Sequence, residues 1–126
     1  MSWVIIPTLT NTIDRETEAC VARANAAMNQ CYLVNVNSAG SLGLGGSIVC
    51  GPGGEVIHQS GEGREVFAVE LDLDYVSRVR ERGWQGLGQQ LKSFRDSNVA
   101  FPPYRAGARS SFLDGLGPLA KPKSAL

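Results

Sequence analysis

The first apolar block, Trp3-Val4-Ile5-Ile6, is continuous and closes on Pro7, the pattern of a strand buried on both faces. Thr8 to Thr12 (TLTNT) is polar and reads as a loop. Asp14 stands where its carboxylate can accept from the free amides of a first helical turn, which predicts a helix over 14–28. On that helix Cys20, Val21, Ala24, Ala27 and Met28 share one face by three- and four-residue spacing, opposite Glu16, Glu18, Arg23 and Asn25. The helix should therefore cover its neighbour with a narrow stripe of small residues. Cys31 to Val36 reads as a second buried strand, the glycines of GSLGLGG (40–46) as a connection, and Ser47 to Cys50 as a third strand. GPGG at 51–54 predicts a tight turn, because proline presets the first turn angle and glycine permits positive φ; the chain returns through Glu55 to Gln59. In REVFAVELDL (64–73), Val66, Ala68, Glu70 and Asp72 alternate with Phe67, Val69, Leu71 and Leu73, which predicts a longer strand. Asp72 or Asp74 is placed to cap a short basic helix ending near Gly83. Leu87, Leu91 and Phe94 mark one more helical piece before FPPY (101–104) and a Gly/Pro-punctuated tail.

This order gives a mixed α/β chain with its helices on one side of a sheet. A strand buried on both faces needs neighbours at both edges, and the remaining strands barely supply them, so the sheet is expected to belong to a larger one. The length of 126 residues suits one ordinary domain. Twelve Lys and Arg balance twelve Asp and Glu, which removes any electrostatic reason to expect nucleic acid or an anionic membrane as partner. No apolar run approaches the roughly 18 residues of a membrane span, and the N-terminus lacks the pattern of a secretory signal. Cys20, Cys31 and Cys50 are widely spaced without a CxxC, and His58 is the single histidine. Reduced, cytoplasmic thiols are therefore expected, with no metal and no cofactor.

Three features invite a chemical reading. Cys31 opens NQCYLVNVN, but a thiol in an apolar strand keeps a high pKa and stays protonated, so packing is the expectation. GSLGLGG leads into a strand rather than a helix and carries no Gly-Lys-Ser/Thr, unlike a phosphate loop. Cys50 and His58 could pair across a hairpin, yet nothing supplies an orienting group, and His58 is expected to face solvent. Arg78, Arg80 and Arg82 form a basic face that suits the C-terminal end of their helix.

RANAAMNQCYLVNVNSAG (23–40), GGSIVCGPGGEVI (45–57) and GEGREVFAVELDLDYVSRVRER (61–82) together resemble the C-terminal half of the carbon–nitrogen hydrolase (nitrilase-like amidase) family. The likeness is collinear across five elements from Trp3 to about Phe101, while the tail is similar to an extension carried by some bacterial members. The resemblance implies part of an α-β-β-α sandwich, incomplete at the N-terminal side, with residues 1–83 in the hydrolase domain. Residues 84–126 then form a C-terminal extension that packs on a partner subunit. It also implies chemistry at a carbon–nitrogen bond: a cysteine attacks an amide or nitrile carbon, a glutamate takes its proton, and a lysine stabilises the developing charge. In the family all three precede the strand with which this chain opens, so no catalytic residue is carried over. The residues agree, since the lysines are Lys92, Lys121 and Lys123 and no carboxylate precedes Asp14.

In the resembling enzymes the loop after this strand lines the substrate pocket. Thr8, Thr10 and Asn11 are therefore candidate substrate contacts, as is Asn37 at the end of the second strand; ordinary loop and strand-end roles are the competing reading. The functional expectation is a C-terminal fragment of a hydrolase of non-peptide amide or nitrile bonds, inactive alone. It would be a homo-oligomer or complete a complementary N-terminal half. The alternative is a non-catalytic interaction partner of a full-length relative.

Overall fold

The parallel pairing of two strands joined by one helix organises the chain. The structure is a computed structural model that describes residues 1–84, 86–99, 105–118 and 120; the FPPY stretch, Lys121 and Lys123 lie outside them. Strand β1 (Trp3–Thr8) leads through α1 (Asp14–Asn29) into β2 (Tyr32–Asn37), which pairs with β1 from Trp3↔Tyr32 to Thr8↔Asn37. A short 3₁₀ turn (Gly40–Leu42) precedes β3 (Ile48–Cys50) and β4 (Val56–Gln59), which complete an antiparallel extension in the order β1-β2-β3-β4. Then follow α2 (Leu73–Arg82) and α3 (Gln90–Asp96). Met1–Asp96 forms one compact unit. In Ser97–Leu126, a second unit, α4 (Ser111–Asp114) starts at Ser110, whose hydroxyl accepts from Leu113 N.

Register sorts the side chains. Val4, Ile6 and Thr8 share a face with Leu33, Asn35 and Asn37, and with Ile48 and Cys50 of β3. Helix α1 packs on that face, burying Ala22 and Ala26 against Leu33, Ile48 and Cys50, with Ala19 alongside. Burying Leu33 and Ile48 contributes about 1.5–3 kcal/mol each. The buried stripe of α1 is thus Arg15, Ala22 and Ala26, whereas Val21 and Met28 of the expected stripe are 52% and 61% exposed. Alanine at these positions lets the helix lie close to the sheet, and the bulkier apolar residues turn aside. Asp14 does not cap α1: the preceding Ile13 makes no side-chain cap, and Asp14 accepts instead from Thr12 Oγ1 at 2.8 Å.

The helix ends on Gln30, held in the left-handed region at φ 48°. This residue is fully buried, its Nε2 donates to Val79 O at 2.9 Å, and its carbonyl accepts from Arg80 Nε at 3.1 Å. At the head of α2, Asp72 accepts from the backbone of Asp74 and Tyr75, as its spacing predicts, and Gly83 closes the helix. Tyr32, on the sheet face away from α1, sends its hydroxyl to Asp72 O at 2.9 Å.

Two elements differ from the sequence pattern. The first strand lies at a sheet edge with both faces uncovered, Trp3 and Ile5 being 50% and 52% exposed, because no strand pairs beyond it among the described residues. It also runs through Pro7. Tyr32 N donates to Ser2 O and Ser38 N to Thr8 O, so the even-numbered residues carry the ladder to β2. Pro7 therefore has its missing donor on the free edge, where a strand tolerates it. Residues 64–72 form no strand. The alternation survives as burial, with Phe67, Val69 and Leu71 half-buried and Val66, Ala68 and Glu70 exposed, but the segment crosses as a strap without ladder hydrogen bonds.

The glycine-rich connection is pinned at Gly45. It sits at φ +64°, its amide donates to Ser38 O at 2.8 Å, and a Cβ there would stand 2.5 Å from Gly61 O. Gly45→Ala is expected to destabilise the fold by about 2 kcal/mol or more, through the left-handed backbone and the collision together. Urea unfolding should show a lower midpoint at unchanged slope.

Candidate functional site

Ligands of parallel α/β sheets bind beyond the carboxyl ends of the strands, which here are Thr8 and Asn37. Asn37 is buried, and its amide is fully engaged. The oxygen accepts from Thr10 N at 2.8 Å and Thr8 Oγ1 at 3.1 Å; the nitrogen donates to Thr10 O at 2.9 Å and Gly45 O at 2.8 Å. One side chain thus ties the loop after β1 to the glycine-rich connection. Thr10 Oγ1 donates in turn to the Glu18 carboxylate at 2.7 Å.

Behind this lattice lies Arg15, only 6% exposed. Its Nη1 donates to Asn35 Oδ1 at 2.6 Å and to Glu18 Oε2 at 2.9 Å, and its Nη2 donates to Gly46 O at 2.7 Å. A buried guanidinium costs heavily unless its donors find acceptors, and here a carboxylate, an amide and a backbone carbonyl supply them. The site is thus an Arg15–Glu18 pair carrying a Thr8–Thr10–Asn37 lattice. Asn11 stands outside it, exposed in the turn before α1.

Arg15, Glu18 and Asn35 were not among the candidates read from the sequence. Their signal was present in spacing. Arg15 is three residues before Glu18 and four before Ala19 on the packed stripe, and the alternation of VNVN puts Asn35 and Asn37 on the same face. As it stands the network consumes its own donors and acceptors. It fixes the shape of the strand ends rather than offering a nucleophile.

The thiols lie elsewhere. Cys50 is wholly buried under α1, and Cys31 is buried where β2 begins; Cys20 is exposed. Burial pushes the Cys31 and Cys50 thiols up, outweighing the opposing pull of Arg80 on Cys31 and of Arg23 on Cys50. His58 is paired opposite Val49, on the sheet face away from Cys50, so imidazole and thiol are separated by the sheet. It also does not face solvent. Half-buried, it stacks on Phe67 at 4.0 Å between centroids, and its Nε2 lies 2.8 Å from Glu65 Oε1. These contacts fasten the strap over the sheet and bound a cavity of about 360 Å³ against Val34, Val36 and Val49. Among the described residues no three His, Cys, Asp or Glu side chains are grouped to hold a metal ion, and no helix is long and apolar enough to cross a membrane.

The thiol environments predict a labelling pattern. Iodoacetamide at neutral pH should modify Cys20 alone, with Cys31 and Cys50 reacting only after unfolding, as read by peptide mass spectrometry. A thiol whose pKa rises on folding stabilises the fold fully below its ordinary value of 9.0 and less as pH climbs through the folded value. The urea midpoint should therefore fall at alkaline pH, and a Cys31→Ala, Cys50→Ala variant should lose the thiol part of that dependence, the remainder belonging to Tyr32 and Tyr75, whose hydroxyls burial also pushes up. Separately, Asn37→Ala strips partners from Thr10 N, Thr10 O and Gly45 O, and should cost about 2–4 kcal/mol in urea unfolding.

Comparison with known proteins locates this architecture. The profile of the carbon–nitrogen hydrolases matches residues 12–81. No curated protein matches the sequence. Among solved structures, Saccharomyces cerevisiae Nit3, a member of branch 10 of the nitrilase superfamily, is similar at 30% identity and a TM-score of 0.57, over 63% of this chain and 31% of that one. The C. elegans NitFhit protein matches at 25% identity and a TM-score of 0.58, over 75% and 23% of the two chains. A mutant amidase from Nesterenkonia sp. AN1, solved with acrylamide added to its active-site cysteine, matches at 26% identity and a TM-score of 0.53, over 64% and 33%. This chain thus spans about a third or less of the solved structures it resembles.

Proposed function

The chain belongs to the carbon–nitrogen hydrolase family, and from that premise we propose that it is the C-terminal scaffold of a hydrolase acting on non-peptide amide or nitrile bonds. The glutamate, lysine and cysteine that perform the chemistry come from polypeptide outside this chain. The observation that carries the reading is the state of its three thiols: Cys31 and Cys50 are buried and pushed toward the protonated form, Cys20 is exposed on α1, and none has a hydrogen-bonded base among the described residues. A nucleophilic cysteine needs the opposite environment, partly exposed and beside a proton acceptor.

The contribution of this chain is geometric. Thr8, Thr10 and Asn37, backed by Arg15 and Glu18, form a pocket wall beyond the strand ends, where a bound amide would sit. A thiolate delivered beside that wall would attack the amide carbon. The amine would leave with a proton from the general acid, and water would then release the acyl group from sulfur, restoring the thiol. The amidase among the similar structures favours an amide as the substrate class.

The purified chain is expected to release no ammonia from simple amides such as butyramide or acrylamide in a coupled assay. Cys31→Ser and Cys50→Ser should change unfolding midpoints only. Thiol-dependent turnover by the chain alone, abolished by either substitution, would overturn the reading.

A further inference from the structure

On the sheet face away from α1, the strap from Gly61 to Asp72 is held at its middle by one side chain. It crosses that face without ladder hydrogen bonds. Its ends are tied through the backbone: Gly61 O accepts from Gly46 N at 2.9 Å, and Asp72 O accepts from the Tyr32 hydroxyl at 2.9 Å. Between those ties, two contacts converge on His58 of β4. Phe67 stacks on its ring at 4.0 Å between centroids, and Glu65 Oε1 lies 2.8 Å from its Nε2. Glu65 and Phe67 also line the hollow of about 360 Å³ beneath the strap, so lifting them widens it.

We infer that His58 and Glu65 form a pH-operated latch: with the imidazole protonated the strap is held down over the hollow, and with it neutral the strap loosens. The geometry sets the chemistry. Nε2 is shut off from solvent yet has no aligned hydrogen-bond partner. The carboxylate 2.8 Å away therefore holds the ring chiefly through charge, and that hold exists only while the ring is a cation. A neutral ring leaves a buried nitrogen without a partner, a cost that lifting the strap into water removes. No competing charge on the sheet overrides the pair. His58 ends the row Ile5, Val34, Val49, His58, which holds no other ionisable group, and β4 (VIHQ) bears no other charge. Helix α1 lies on the opposite face, and the hydroxyl of Tyr32 is committed to Asp72 O. The strap itself adds Glu62, which is exposed, and Arg64, which lines the hollow. His58 is the single histidine, the side-chain type that ordinarily changes charge between about pH 5 and 8. The ion pair is complete between the ranges in which carboxylates and imidazoles ordinarily titrate, roughly pH 5 to 6. The latch is tightest there and slackens as pH rises through the imidazole range.

With one histidine in the sequence, the imidazole ring protons give a single set of signals, and proton NMR of the full chain reads the protonation of His58 directly. Trypsin cleavage after Arg64, inside the strap, reads its opening. Dividing each rate by that of a free peptide of residues 60–70 cancels the protease's own response to pH. The normalised cleavage should be at least about threefold slower near pH 5.5 than near pH 7.5, with a midpoint that coincides with the ring titration. Glu65→Gln keeps the shape and removes the charge; it should lower the ring midpoint by about half a pH unit or more and level the cleavage profile. His58→Gln should level it too, whereas Glu62→Gln should change neither profile. Cleavage indifferent to pH in the parent chain sinks the latch, as does a cleavage midpoint displaced from the ring titration or a ring midpoint that Glu65→Gln leaves in place. The two parent profiles decide the matter even where a variant fails to fold.

Discussion

The buried guanidinium of Arg15 is the constraint on which the strand ends depend. It reaches from α1 to Asn35 in β2, to Glu18 one turn along, and to the carbonyl of Gly46 in the glycine-rich connection. Three separate parts of the chain are therefore positioned by one planar, permanently charged group, and each of its acceptors would be left short by its removal. Thr10 depends on Glu18, and the loop after β1 depends on Thr10 and Asn37. The loop at the strand ends thus takes its shape from a cation that is itself buried.

This arrangement divides the sheet by role. The face under α1 is closed by alanines against Leu33, Ile48 and Cys50, and it supplies cohesion. The opposite face is crossed by the strap from Gly61 to Asp72, held by Phe67 against His58 and leaving a hollow above Val34 and Val49. The β1 edge is closed on neither face. Trp3 and Ile5, half exposed at that edge, add little burial to the fold.

Most of the architecture was legible in the sequence because it rests on local rules. Asp72 capping α2, Gly83 ending it and the GPGG turn each follow from short-range chemistry. What was not legible depended on distance. The stripe of α1 was misassigned because hydrophobicity ranks Met28 and Val21 above Ala22 and Ala26, while the sheet selects residues small enough for close approach. Phe67, Val69 and Leu71 alternate as a strand does, but alternation reports which side is covered and not whether a ladder partner exists. Family resemblance singles out Thr8, Thr10, Asn11 and Asn37 only as candidates, of which Thr8, Thr10 and Asn37 share a hydrogen-bond network; Arg15, Glu18 and Asn35 carry no such mark, since a charged helical residue reads as solvated until its acceptors are seen.

Gln30 carries a consequence for how the helices hold together. Statistics of helix ends favour glycine in the left-handed region, so Gln30 is conformationally the wrong residue there, by about 1 kcal/mol. Its side chain and carbonyl nevertheless clasp Val79 and Arg80, while Val79 O also receives Gly83 N. The strain at the end of α1 is thus exchanged for an anchor on α2. Replacing it with the better terminator would relax one helix and leave only its carbonyl on Arg80 to hold the other, so a stability gain measured locally would arrive as looseness between elements.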